Sequence, residues 1–278
     1  MTNTLATIRQ ELGKDLNECH TGTMASASTT TFIDVELIDE GESDARWVGA
    51  WVIVTSGDQA GTVRRVKTYD QDTGLITLSR SWTSPGDATY EMHTLLSPAD
   101  MQRAINAALA KCLYVTREDI TVVASQRQYA LTDYDWLTEP AQVRQVEARY
   151  GDTAGQYRYR PIDWWAVPSD EGVLTLDVEP QSTATTLVLE AVRTYAALDE
   201  DDDATACPLE WVKAGAEMEV FEFLRRRDPA VDASRWNEQK AEAALRFFEL
   251  SRRYQPRWIP RVQHPLAPHR TSLSTVVY

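Results

Sequence analysis

Redox and metal chemistry have little to work with in this chain. Its 278 residues include three cysteines and four histidines. Cys19, Cys112 and Cys207 are far apart, contain no CxxC pair and fall in stretches that read as helical. That excludes the common zinc and thioredoxin signatures and predicts buried free thiols. His264 and His269 stand in a proline-rich tail. His20 and His93 have no cysteine or carboxylate beside them at the spacing of metal ligands, so all four read as surface or capping histidines. Long apolar runs are also missing. Nothing approaches the eighteen or more residues of a membrane span, and the start MTNTLATIRQELGKD lacks the basic-then-apolar order of a signal peptide. The expected location is the cytoplasm of the cell that makes it.

Catalytic signatures are equally scarce. There is no GxxxxGK[ST] loop, no GxGxxG opening a helix after a strand, no HExxH, no GxSxG and no EF-hand spacing. Gly57-Asp58-Gln59-Ala60-Gly61 looks like a phosphate-binding turn but leads into the strand-like Thr62-Val63-Arg64-Arg65-Val66. No helix N-terminus would then face an anion, and a hairpin turn is expected. The remaining catalytic reading is a hydrolase built on dispersed carboxylates, such as Asp163 with Glu190. We expect no enzyme, no cofactor and no metal.

What the chain does have is ordinary globular composition, 43% apolar and 25% charged, with a formal charge of −14. Such acidity disfavours binding to a phosphate backbone. The charge is uneven. From Ser251 to Tyr278 there are five arginines and no acid, while the rest holds 23 basic against 42 acidic side chains. A basic tail follows an acidic body.

Hydrophobic spacing divides the chain into alternating blocks. Leu5, Ile8, Leu12, Leu16 and Cys19 recur every three or four residues, predicting an N-terminal helix within residues 1–24. Residues 25–97 switch to β-branched and aromatic segments broken by Gly, Asp and Pro clusters, which predicts a small inserted barrel or sandwich of five short strands. Inside it, Tyr69-Asp70-Gln71-Asp72-Thr73-Gly74 predicts a tight hairpin. Residues 98–117 form a second helix capped by Ser97, with Pro98 at its first position, ending near Val115. Residues 118–198 return to strand patterns. Residues 199–254 comprise an acidic loop and two helices, whose apolar members (Trp211, Met218, Phe221, Leu224; then Trp236, Ala243, Phe247, Leu250) face a partner helix. The predicted class is α+β: a helical bundle of about four helices with two inserted antiparallel β modules and an extended C-terminal arm.

Three features invite ligands. The acidic run Asp199 to Asp203 could attract a divalent cation, but consecutive acids splay apart and a solvated loop is expected. Trp164-Trp165 and Tyr157-Arg158-Tyr159-Arg160 could stack on sugars or bases. Alternation along a strand sends at most half of them to one face, so packing is the preferred reading. The arm, residues 255–278, carries prolines, arginines and isolated apolar anchors, and could extend about 80 Å. It has too little apolar content to fold alone, and such arms gain order by lying across another chain or adding a strand to its sheet.

The helix near Ser97–Leu113, the segment TYAALDEDDDATACPLEWVKAGAEMEVFEFLRR and the following helix running into YQPRWIPRV resemble head-to-tail connector (adaptor) proteins of tailed bacteriophages. The β region GTVRRVKTYDQDTGLITLSRSWTSPGDATYEMHTLLSP is similar to inserts of phage virion proteins. The commonest adaptors are short helical bundles, and this chain departs from them by its two large β regions. The resemblance implies a structural virion protein: a homo-oligomeric ring, often twelvefold, in the virion neck, assembled in the host cytoplasm. Its partners would be the portal protein and a downstream neck or tail protein, with DNA only as passing cargo. It further implies that Pro208 to Tyr254 builds the ring. Portal contacts would come from the arm, through Arg257, Trp258, Ile259, Arg261, Val262, Leu266, Arg270, Val276, Val277 and Tyr278. The alternative is a tail-tip, decoration or other ligand-binding β-module protein using the Trp164-Trp165 region.

Overall fold

The computed structural model describes residues 2–38, 45–123, 126–131, 134, 143–150, 158–162, 165–166, 173–176, 186–227 and 233–255. The chain divides into two compact units, one made of Met1–Cys112 with Tyr195–Tyr254, the other built on Leu113–Thr194.

The first unit opens with β1 (Asn3–Thr4) and α1 (Leu5–Asp15). The Thr4 hydroxyl caps α1 by accepting the Thr7 amide at 3.2 Å, supplying one of the partners that a helix start lacks. Leu5, Ile8 and Leu12 are buried along one stripe. Asn17 then takes a left-handed φ of 55°, which ends helical geometry. Cys19, expected on the same stripe, instead opens β2 (Cys19–Thr23). Strands β3 (Thr31–Ile33), β4 (Trp51–Val54), β5 (Val63–Asp70), β6 (Leu75–Leu78) and β7 (Thr89–His93) follow, then α2 (Pro98–Leu109).

These strands form one six-stranded antiparallel sheet, ordered β2-β7-β4-β5-β6-β3. The sheet curls into a half-barrel until its two edges meet, where Ala25 and Ile33 exchange backbone hydrogen bonds of 2.7 and 2.9 Å. Phe32, Val52, Val54, Ile76, Tyr90 and Met92 fill its interior. The Gly57–Gly61 segment turns β4 into β5. The β5–β6 hairpin is tied by the Asp72 amide donating to Asp70 Oδ1 at 3.0 Å. It closes on Gly74, whose φ is 66° and whose hypothetical Cβ would lie 2.2 Å from the Asp34 carbonyl oxygen. Gly74→Ala is therefore expected to cost about 1–3 kcal/mol, from left-handed strain and the displaced carbonyl. Urea unfolding followed by tryptophan fluorescence checks this.

At α2, the Ser97 hydroxyl accepts the Asp100 amide at 3.1 Å, and Pro98 occupies the first turn. The helix stops at Leu109, not near Val115. Val115 belongs to β8 (Leu113–Thr121), because from Tyr114 onward the side chains alternate between covered and exposed instead of following a helical period.

The second unit contains β8, β9 (Gln128–Ala130), β10 (Val143–Tyr150), β11 (Arg158–Pro161), β12 (Trp165–Ala166), β13 (Val173–Leu176) and β14 (Thr186–Thr194). They make a four-stranded sheet, β11-β10-β14-β8, and a three-stranded sheet, β12-β13-β9. Ile120, Tyr129, Val146, Leu174, Leu187 and Leu189 belong to one apolar cluster. β8 and β14 pair along their full length, Leu113 opposite Thr194, so the chain enters and leaves this unit side by side.

Back in the first unit, β15 (Ala204–Thr205) pairs with β1, and α3 (Leu209–Arg227) and α4 (Ala233–Tyr254) complete a four-helix cluster. The expected α3–α4 packing is present: Trp211 stacks on Phe247 at 6.3 Å and Phe221 on Trp236 at 6.1 Å. Cys112 and Cys207 are buried together in this core and free, and Cys19 is free on its strand.

The predicted class needs correction. Among the described residues there are four helices, but the strands form four separate sheets, and the molecule is more sheet-rich than a helical bundle carrying inserts. Residues expected in helix extend both β regions, Cys19–Thr23 into the first and Leu113–Val115 into the second. The six-stranded sheet is not an appended module either. It shares a compact unit with the helices and is tied to α1 through buried charges.

Candidate assembly surface

Helix α4 carries two apolar stripes. The inward one, with Trp236, Ala243, Phe247 and Leu250, packs into the helical core. The second consists of Ala241, Ala244, Leu245 and Phe248 at spacings of three, one and three. Leu245 is 67% exposed and Phe248 61%. Large apolar side chains placed together on a helix surface are costly to leave in water. A neighbouring helix would meet this stripe in the spacing that two packed helices use.

Charged residues hold the two helices in register behind that stripe. Glu222 of α3 accepts from Lys240 of α4 at 2.8 Å and from Arg225 and Arg226 of its own helix. Those cations hold its carboxyl well below the usual range. Arg246 of α4 pairs with the buried Glu217 of α3, whose carboxyl burial nevertheless pushes up. The cleft between α2 and α3, about 230 Å³, is bordered by Leu96, Arg103, Ala107 and the half-exposed Phe223.

Beneath the helices lies a buried ionic centre. Arg9 of α1 donates from Nε and Nη2 to Glu91 of β7 at 2.8 and 2.9 Å, and from Nη1 and Nη2 to Asp201 at 2.6 and 3.0 Å. Gln10 Nε2 donates to Glu91, and His93 Nε2 bonds the same carboxylate, each at 2.9 Å. Arg9, Glu91 and His93 are 2%, 0% and 0% exposed. Burial works to raise the Glu91 pKa, but His93, Arg9 and Gln10 overcome it and hold the carboxyl down to about 2. This centre fixes the helices to the half-barrel.

The expected sites fare unevenly. Arg257, Trp258, Ile259, Arg261, Val262, Leu266, Arg270, Val276, Val277 and Tyr278 lie outside the described residues, as do Tyr157, Asp163 and Trp164. Arg158 to Arg160 run along β11 and Trp165 starts β12. Glu190, the other half of the dispersed carboxylate pair, bonds Arg117 Nη2 at 2.9 Å across β14 and β8. The acidic run is not uniformly solvated. Asp201 holds Arg9, and Asp203 accepts the Glu200 and Asp199 amides, bonds that lower its pKa.

His93 is not a surface or capping residue: its ring is buried against Glu91. Glu91 and His93 are two apart on a strand and so share a face, a signal present in the sequence. Arg9 also left a trace, as a charge between Ile8 and Leu12 on the buried stripe of α1. The second stripe of α4 was legible in AALRFFEL, where Phe247 and Phe248 must point to different sides. Among the described residues, no helix is long and apolar enough to cross a membrane. Compared with known proteins, the chain matches no family model and none of the curated sequences.

Proposed function

We propose that the protein is a structural subunit that self-associates into a ring, acting as a head-to-tail connector of a tailed bacteriophage between portal and tail. The observation that carries this reading is the outward stripe Ala241, Ala244, Leu245 and Phe248, on a helix whose opposite side is already filled. Repeated contact of this stripe with the next subunit closes a ring when the rotation between copies divides a full turn. In this reading the protein performs no reaction, sits in the virion neck and assembles in the host cytoplasm.

The acidic body suits the role. A lumen lined by negative charge repels DNA and lets it pass without sticking, while the basic arm, from Arg257 to Tyr278, seeks an acidic patch on the portal. A downstream neck or tail protein would take the opposite side.

Two variants test the reading. L245E/F248E is expected to keep the circular dichroism of the parent and to sediment as a monomer where the parent forms rings visible by negative-stain electron microscopy. Removal of residues 256–278 is expected to leave rings intact and abolish joining of heads to tails in an assembly extract. A parent protein that stays monomeric at high micromolar concentration, alone and with portal, overturns the proposal.

A further inference from the structure

We propose that His20, Asp34 and Glu36 form a binding site for a divalent first-row transition ion of zinc-like chemistry, and that the ion clasps the two edges of the curled sheet together. His20 lies on β2, one edge strand, and Asp34 directly follows β3, the other. His20 Nε2 is 2.9 Å from Asp34 Oδ2, and the imidazole nitrogen and the two carboxylate oxygens all fall within 4.8 Å of one another. Zinc bonds of about 2.0–2.2 Å set neighbouring donor atoms roughly 3–3.5 Å apart. Only the exposed Glu36 carboxylate has to draw inward.

The surroundings prepare the site. The Tyr90 hydroxyl donates to Asp34 Oδ2 at 2.6 Å and the Glu36 amide to Oδ1 at 2.9 Å, so the carboxylate is oriented by a supporting shell of the kind that metal ligands keep. The His20 ring is flanked by Trp47 and Tyr90, each with its centroid 5.9 Å away. Gly22 provides an independent sign. A Cβ there would come within 2.1 Å of Asp34 Oδ2 and 3.0 Å of His20 Nε2, so any side chain at position 22 would collide with both donor atoms, and their close approach requires glycine.

Charge and donor type select the ion. Asp34 is 1% exposed, and its hydrogen bonds come from a tyrosine, a histidine and an amide; a buried carboxylate favours a compensating positive charge. One imidazole nitrogen with two carboxylates suits zinc, cobalt or manganese. Magnesium and calcium prefer sites made of oxygen alone. The sheet edges otherwise meet, among the described residues, through the Ala25–Ile33 bridge, so an ion spanning β2 and the end of β3 reinforces a short closure. Sequence spacing hid the site, because fourteen residues and a chain reversal separate His20 from Asp34.

The test uses the full chain, stripped with EDTA and held reduced. Titration with zinc chloride by calorimetry is expected to give one equivalent per chain and to raise the thermal unfolding midpoint, with no response to magnesium. Glu36→Gln and His20→Gln are each expected to weaken zinc binding at least tenfold and to remove the thermal shift. Glu36 is exposed, so its variant folds regardless of metal, and circular dichroism checks the His20 variant. Undetectable zinc binding would overturn the proposal, and so would variants that bind zinc as tightly as the parent, which would place the ion elsewhere, at Cys19 or the acidic run.

Discussion

Replacing Arg9 with alanine is expected to destabilise the first unit by about 3–5 kcal/mol, the cost of leaving a buried carboxylate without its cation. Glu91 accepts two bonds from that guanidinium and is 0% exposed, so both bonds are lost at a buried charge. Asp201→Asn removes the other carboxylate, which is 36% exposed, and is expected to cost less than about 1 kcal/mol. Urea unfolding at neutral pH, followed by tryptophan fluorescence, separates the two outcomes. The same centre makes stability depend on acid. Glu91 is held down to about 2 from an ordinary 4.5, so its contribution is fully present above pH 4.5. It is lost as pH falls through about 2, because the unfolded chain takes up the proton first. The loss is on the order of 3 kcal/mol. In Arg9→Ala, the acid limb is expected to move to higher pH. An unchanged acid midpoint would show that Arg9 does not govern this carboxylate.

Trp211→Ala is expected to cost about 3–5 kcal/mol, the range for emptying a large buried aromatic site. Trp211 is 1% exposed, stacks with Phe247 and Tyr254, and donates from Nε1 to Ser251 Oγ at 3.0 Å. Trp211→Phe keeps most of the volume and loses the hydrogen bond, so roughly a third of that cost is expected. Guanidinium unfolding of both variants measures the ratio. Near-equal losses would assign the stability to the hydrogen bond and not to the packed ring.

Local chemistry made parts of the fold readable. Ser97 and Pro98 announce α2, Gly74 closes its hairpin, and the spacing of Trp211, Phe221 and Leu224 places α3 against a partner. Where an apolar stripe ran past the end of its helix, the reading failed. Cys19 continues the α1 period, but the left-handed Asn17 breaks the chain before it, and hydrophobic spacing carries no information about that backbone angle. Leu113 to Val115 fit a longer α2, but pairing with β14 claims them. Tertiary partners were least legible. Arg9 finds Asp201 across 192 positions and Glu91 across 82, and a single sequence names neither. The placement of His20 beside Asp34 arises only when the sheet curls.

The pairing of Arg9 with Asp201, and of α1 with α3, also sets a schedule for biosynthesis. At about 5–20 residues per second, a ribosome needs roughly 10–40 s after making α1 to deliver those late partners. During that interval the greasy face of α1 can be covered only provisionally, by the half-barrel and α2. A polysome would then hold many nascent chains in the same unfinished state, so slowing translation between residues 113 and 194 should increase the protein's demand for chaperones before its final helices emerge.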